Sequence, residues 1–275
     1  MDLRPLRDVI RDYDLRADKR LGQHFLMDSN LLARIVAHAG NLKGRTVLEI
    51  GPGPGGLTRA LLASEVDRVI AIETDPRCIE ALGELSAVAG RRLLVIEGDA
   101  LNVDLGTLDA DALTIVANLP YNIGTALLFR WLDQLTLIDN MTLMFQREVA
   151  ERLTAAPRSR HYGRLSVVTQ WLCKIERLMN LPGKAFVPPP KVASSIVQVT
   201  PRPAPLAPAS KRDLEKVVAA AFGQRRKMLR TSLKTLGGDP LPWLEVAEVA
   251  PTARAEEIDI EGFCRLANAF STAQN

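Results

Sequence analysis

Apolar residues along this chain follow two alternating rhythms. Short, nearly unbroken apolar runs occupy residues 46–50, 68–72, 93–96, 112–117 and 141–145. Such runs mark strands covered on both faces in a parallel sheet. Between them, apolar positions recur with helical spacing. Leu31, Leu32, Ile35 and Val36 make one such face, opened by Asp28 or Ser29 as N-cap and closed by Gly40. Further helices are predicted from Leu57, over 76–85, over 123–132 (face Leu127, Leu128, Trp131 and Leu132), over 148–153, and around Leu165, Val168, Trp171 and Leu172. Residues 175–181 and 192–200 read as a terminal antiparallel hairpin and raise the strands to seven. Strands alternating with helices predict an α/β fold with a Rossmann-like sheet.

The rhythm stops at Pro201-Arg202-Pro203-Ala204-Pro205-Leu206-Ala207-Pro208, a proline-rich linker. Beyond it, residues 211–234 read as helical, with Val217, Val218, Ala221 and Phe222 as the buried face. Glu256, Glu257 and Asp259 suit the N-terminus of a last helix. The predicted organisation is an N-terminal arm (1–27), a nucleotide-binding domain (28–203) and a small helical C-terminal domain (204–275).

The strand ends carry the chemistry, as they do in open α/β sheets. After the first strand comes Gly51-Pro52-Gly53-Pro54-Gly55-Gly56, and then a helix. Strand, glycine turn and helix N-terminus let backbone approach a nucleotide closely. The string also satisfies G-x-G-x-x-G, so NAD competes with S-adenosylmethionine as its ligand. Glu73 ends the second strand, where a carboxylate can accept both hydroxyls of a ribose. Asp99 follows the third strand and is read as an acceptor for an adenine amine, a turn cap, or both. The fourth strand delivers Asn118-Leu119-Pro120-Tyr121.

That tetrapeptide suits an exocyclic amine on a planar base. Such an amine is a poor nucleophile because its lone pair is delocalised into the ring. The Asn118 amide oxygen can accept one N–H and the Leu119 carbonyl the other. Pro120 holds Leu119 extended and so aims its carbonyl. Tyr121 offers a stacking face, worth roughly 1–3 kcal/mol per base. No acid–base pair stands out, so the group that reacts with the amine must arrive activated. A sulfonium methyl meets that need, because it asks the protein mainly for placement. NAD chemistry would need a proton-handling group that Asn-Leu-Pro-Tyr does not supply.

Composition adds limits. The chain has 275 residues, 47% hydrophobic and 24% charged, as in ordinary globular proteins. No apolar run approaches a membrane span, and no apolar signal core follows Met1-Asp2-Leu3-Arg4. Cys78, Cys173 and Cys264 each have an apolar neighbour and are read as buried thiols of a cytoplasmic protein. His24, His38 and His161 are scattered, so no metal constellation is read. The net charge of +3 permits a nucleic-acid partner without demanding one. Residues 1–22 interleave Arg4, Arg7, Arg11, Arg16, Lys19 and Arg20 with aspartates and are expected to form a solvated, salt-bridged arm. The basic loop 155–163 is also expected to be solvated. Residues 211–234 carry a strong excess of positive charge, densest at Arg225-Arg226-Lys227, which points to phosphate contact. The stiff loop 182–191 carries Lys184, Phe186 and Lys191, and Phe186 is expected on the rim of the crevice.

Five motifs together resemble the ribosomal RNA adenine N6,N6-dimethyltransferases, most closely the branch acting on the small subunit. They are Leu21-Gly22-Gln23-His24-Phe25-Leu26, Glu49-Ile50-Gly51-Pro52-Gly53-Pro54-Gly55, Gly98-Asp99-Ala100, Asn118-Leu119-Pro120-Tyr121 and Phe186-Val187-Pro188-Pro189-Pro190-Lys191-Val192. The resemblance covers about residues 18 to 235. It implies a class I methyltransferase sheet, S-adenosylmethionine as donor with no metal, and two methyls on each of two adjacent adenines near the 3′ end of small-subunit RNA. It implies donor contacts from His24, Leu26, Gly51, Gly53, Glu73, Asp99, Ala100 and Asn118. The family often has asparagine at the position of His24, so a backbone contact is expected there. Asn118, Leu119, Pro120 and Tyr121 would hold the base, with Phe186 stacking on it. Arg225, Arg226, Lys227, Arg230 and Lys191 are the expected RNA contacts of a monomer. The competing readings are a large-subunit dimethyltransferase conferring macrolide resistance, a DNA adenine methyltransferase, and a non-catalytic ribosome assembly factor.

Overall fold

The computed structural model describes residues 3–17 and 23–274. Asp2, Asp18, Lys19 and Arg20 of the arm, and Leu21 and Gly22 of the first motif, lie outside the described residues. The chain divides into two compact units. Unit 1 comprises Met1–Ala150 and Glu176–Pro201, and unit 2 comprises Glu151–Ile175 and Arg202–Asn275. The break after Pro201 falls close to the predicted boundary. The assignment of Glu151–Ile175 to unit 2 differs from the sequence expectation. Its cause is packing: Tyr162, Val167 and Trp171 belong to the apolar core of that unit.

Unit 1 begins with α1 (Leu6–Asp12), β1 (Phe25–Leu26), α2 (Ser29–His38) and β2 (Thr46–Ile50). Next come α3 (Gly56–Leu62), β3 (Arg68–Glu73), α4 (Pro76–Ala89), β4 (Leu93–Glu97), β5 (Leu113–Asn118), α5 (Gly124–Trp131) and β6 (Ile138–Gln146). The chain then runs through α6 (Arg147–Leu153) and α7 (Arg164–Leu172), and β7 (Cys173–Leu181), β8 (Phe186–Val187) and β9 (Ser194–Pro201) follow. Seven strands form one sheet in the order β4-β3-β2-β5-β6-β9-β7. Strands β2 to β6 pair in parallel, and β9 runs antiparallel to β6. Consecutive strands step to one side from β2 and to the other from β5, so the carboxyl ends of β2 and β5 flank the switch point where such sheets bind ligands. The middle strands are buried along nearly their whole length, as their unbroken apolar runs require.

Local signals agree with the elements. Asp28 caps α2 by accepting from Asn30 N and Leu31 N. Asp75 caps α4, with Pro76 in the first turn. The arm is more structured than expected. It carries the ion pairs Arg4–Asp12, Arg4–Glu84 and Arg11–Asp8. It also buries Val9 and Leu15 against Phe25, Cys78 and Ala81. Exposed pairs of this kind contribute little, so the apolar contacts are what anchor the arm.

Phe186 is the main correction. It is 1% exposed and packs with Leu26, Leu32, Met144, Leu181 and Ile196 rather than lying on the rim of the crevice. The reason is a two-stranded pairing of β1 with β8, with Phe25 opposite Val187 and Leu26 opposite Phe186. Successive side chains of a strand point to opposite faces. Val187 therefore turns outward, 58% exposed, and Phe186 turns in.

Unit 2 contains α8 (Lys211–Gly223), α9 (Leu229–Ser232), α10 (Leu241–Val246) and α11 (Ile260–Gln274). Its core includes Leu214, Val217, Ala221, Phe263 and Phe270. The predicted helix over 211–234 is broken. It stops at Gly223 because Gln224 leaves helical geometry, so Arg225, Arg226 and Lys227 lie in a turn. The expected linker is stitched down: Leu206 N donates to Trp171 O at 2.8 Å, and Trp171 Nε1 to Ala207 O at 2.7 Å. Loop 155–163 is not wholly solvated, since Tyr162 is fully buried.

The core assignment of Phe186 is open to test. Phe186→Ala is expected to cost about 3–5 kcal/mol of stability, as for other buried aromatic truncations, measured by urea unfolding. An unchanged midpoint would return Phe186 to the surface.

Candidate functional site

A cleft enclosing about 990 Å³, open mouth included, lies at the carboxyl ends of β2, β3 and β5. The sequence-predicted residues of the glycine loop, Gly51 and Gly53, line it. So do His24, Leu26, Glu73, Asp99 and Ala100. Asn118, Leu119, Pro120 and Tyr121 complete one wall. Phe186 and Lys191 are not among the lining residues.

Glu73 holds the glycine loop to the sheet. Its Oε2 accepts from Gly53 N at 2.9 Å, and its Oε1 accepts from Thr74 N at 2.8 Å and Asp75 N at 3.0 Å. A carboxylate offers about four lone-pair sites, so one site on Oε2 is left for a ligand. This bracing role is not visible in the sequence. Gly53 sits at φ +55°, and an added Cβ would lie 3.1 Å from the Phe25 ring. Both facts favour glycine there, and both bring backbone to the cleft wall. Asp99 caps the next turn through Oδ1, which accepts from Leu101 N at 2.9 Å. Oδ2 takes no part in that bond, so the cap and ligand roles are compatible.

The amide of Asn118 has a defined orientation. Its Nδ2 donates to the His24 carbonyl at 3.2 Å. A carbonyl only accepts, so the NH₂ group must face His24 and Oδ1 is the free end. The hydrogen bonds of the following turn are accepted by the Pro120 carbonyl, from Ile123 N at 3.2 Å and Gly124 N at 3.0 Å. The Leu119 carbonyl is left out of them. Tyr121 is half-buried and meets the His24 ring at 5.4 Å with a 36° tilt. His24 Nδ1 lies 2.8 Å from Pro188 O. His24 thus engages Asn118 by its backbone and the 182–191 loop by its side chain.

Glu49 lines the cleft and was missed by sequence reading. The signal for it is an acid inside an apolar strand, immediately before the glycine loop. It is 1% exposed; its Oε2 and the Thr58 hydroxyl make no hydrogen bond of good geometry, although Thr58 lies beside the carboxyl and partly offsets the effect of burial. Burial pushes its carboxyl up to about 8, with the Glu73 charge adding to the effect.

The basic residues separate into two groups. Arg225 pairs with Glu256 at 2.6 Å and donates to Ser159 O at 3.3 Å, so its charge is engaged within unit 2. Arg226, Lys227 and Arg230 are exposed on unit 2, and Lys191 is exposed on unit 1. The three cysteines are buried, and burial holds Cys173 and Cys264 at about 12.

The sheet order and the switch-point cleft define a class I methyltransferase fold. The sequence model for "Ribosomal RNA adenine dimethylase" matches residues 15–272, and the chain belongs to that family. It is 57% identical to the ribosomal RNA small subunit methyltransferase A of Azorhizobium caulinodans, over 99% of this chain and 95% of that one. A dimethyladenosine transferase from Plasmodium falciparum matches at 28% identity with a TM-score of 0.75, covering 91% of this chain and 98% of that one. The 23S rRNA methyltransferase ErmE matches at 28% identity with a TM-score of 0.68, covering 90% and 99%.

Glu49 makes stability depend on pH. Between its ordinary value of 4.5 and about 8 the native state keeps a proton that the unfolded chain has released. Stability should therefore fall as pH rises through that window. From pH 5 to pH 8, Glu49→Gln is expected to gain roughly 2–4 kcal/mol on the parent in chemical unfolding without ligand. A pH-independent difference would contradict this account.

Proposed function

We propose that this enzyme transfers methyl groups from S-adenosylmethionine to the N6 amines of two adjacent adenines near the 3′ end of small-subunit ribosomal RNA, two methyls on each. The reading rests above all on the orientation of Asn118, whose Nδ2 is committed to the His24 carbonyl. The small-subunit choice is supported by the 57% identity to a small-subunit enzyme, against 28% to the 23S enzyme. The same reading makes it a monomeric, cytoplasmic enzyme of ribosome biogenesis.

The cleft residues fit the donor. A buried carboxyl with an unpartnered oxygen at Glu49 suits an ammonium group. The glycine loop is a cradle that a Cβ at Gly53 would crowd. Glu73 and Asp99 keep acceptor oxygens for a ribose hydroxyl and an adenine amine, beside Ala100. His24, Leu26 and Gly51 complete the enclosure. When bound, S-adenosylmethionine supplies a methyl carried on a sulfonium, already activated for transfer.

The protein's own task is to prepare and aim the target nitrogen. Asn118 Oδ1 accepts one N6 hydrogen and the Leu119 carbonyl the other. Drawing both N–H bonds toward acceptors favours a pyramidal nitrogen with its lone pair free for in-line attack; the new N–C bond would replace the methyl–sulfur bond, with a neutral thioether leaving and one N–H proton passing to solvent. Pro120 fixes the backbone between the acceptors, and Tyr121 carries the base on its ring. Unstacking the base costs a few kcal/mol, partly offset by that contact. Placement of this kind supplies about 7–11 kcal/mol of a barrier. Arg226, Lys227, Arg230 and Lys191 serve the RNA backbone.

Labelled donor offered to small subunits, large subunits, naked RNA and duplex DNA, followed by digestion to nucleosides, tests the reading. N6,N6-dimethyladenosine is expected from the small subunit. Predominant labelling of large subunits would overturn the substrate assignment. Asn118→Ala is expected to abolish transfer while retaining the thermal transition, and wild-type turnover would remove Asn118 from the chemistry. Reversal of Arg226, Lys227 and Arg230 to Glu is expected to weaken RNA binding and to lower the salt slope by about 0.7–0.9 for each phosphate no longer neutralised. An unchanged slope would make these residues a solvated surface only.

A further inference from the structure

Ser194 is a fully buried hydroxyl that the chemistry above does not use. It opens β9 and lies opposite Gln146 of β6, so its backbone belongs to the central sheet. Its Oγ lies 2.5 Å from Tyr121 Oη. Tyr121 itself sits in the turn between β5 and α5, outside any strand or helix. The ring is therefore carried on a connecting segment but tethered at its far end to the sheet.

We propose that Ser194 is a positioning residue for methyl transfer, holding the Tyr121 ring as a fixed platform beside the Asn118 amide. The proposal rests on the reading of Tyr121 as the face on which the target base stacks. Its physics is simple. A tyrosine ring has two side-chain torsions. The phenolic oxygen lies on the axis of the second, so a bond there arrests the first, the swing of the whole ring. The second torsion is limited by the neighbouring His24 ring, 5.4 Å away and tilted by 36°. The same His24 binds Asn118 through its carbonyl, at 3.2 Å. Base platform and amine acceptor are thus referred to one frame. Burial raises the Tyr121 hydroxyl above its ordinary value, so it remains a protonated phenol able to share a hydrogen with Ser194. A ring free to swing would carry the stacked base, and its N6, away from the acceptors. Misplacement of about 1 Å can cost on the order of a hundredfold in rate.

The test is a mutant cycle on the whole enzyme acting on small subunits, with Ser194→Ala, Tyr121→Phe and the double variant. Each single variant is expected to lower kcat by roughly 10- to 100-fold, with the donor KM changed less than about twofold. The double variant should be no worse than the worse single, because both remove one tether. RNA carrying 2-aminopurine at the target adenine should be quenched on binding the wild type and less quenched by either variant. Wild-type kcat in both single variants, or losses that multiply in the double variant, would overturn the proposal. If Ser194→Ala does not fold, Tyr121→Phe reads the same tether with Ser194 in place, and wild-type turnover there overturns it alone. Tyr121→Ala separates the two ideas. Wild-type turnover in that variant would sink the stacking reading itself. Its loss beside full activity in Tyr121→Phe and Ser194→Ala would sink only the tether.

Discussion

A backbone carbonyl cannot donate a hydrogen bond, and the active site depends on that. The His24 carbonyl can only receive the Asn118 NH₂ group, so the amide oxygen has one place left to point. The oxygen proposed to accept from a target amine is therefore fixed before any substrate arrives. Preorganised dipoles of this kind need no rearrangement at the moment of reaction. His24 is held in turn by its ring, against Pro188 O and Tyr121. The first motif, the Asn-Leu-Pro-Tyr turn and the 182–191 loop converge on one residue.

The fold makes that convergence possible. Parallel β2, β3 and β5 bring the glycine loop, Glu73 and Asn118 to one edge of the sheet. The short pairing of β1 with β8 joins the first motif to the loop before β9, with Phe186 as its buried pin. Glu73 braces Gly53 and the Thr74–Asp75 turn while keeping an acceptor site open to the cleft. Glu49 stands apart, since it is buried without a full set of partners. Such a group costs stability, which fits a site shaped for a ligand.

Much of this was legible in the residues. Continuous apolar runs located the five parallel strands because burial on both faces leaves no alternation to misread. The glycine loop and the strand-end polar residues announced themselves through the rule that ligands bind at carboxyl ends of parallel strands. What escaped notice depended on contacts distant in sequence. Phe186 looked like a rim aromatic because its neighbours are prolines, yet the pairing with Phe25 and Leu26 turned it inward. The arm looked solvated because its charges outnumber Val9 and Leu15, which do the packing. The pairing of Arg225 with Glu256 joins residues 31 positions apart and leaves no local trace in the sequence. The run to Lys234 looked like one helix because a single glycine is only a weak stop signal. The bond between Tyr121 and Ser194 spans 73 positions, and no local pattern could suggest it.

The central claim is that Asn118 presents its oxygen, not its nitrogen, to the amine of the target base. The most direct measurement is a crystal structure of the enzyme with S-adenosylhomocysteine and an RNA fragment carrying the target adenine. The expected result places Asn118 Oδ1 and the Leu119 carbonyl within about 3 Å of N6, with Nδ2 still on the His24 carbonyl. A base bound with N6 away from Asn118, or an amide turned from His24, would contradict the account.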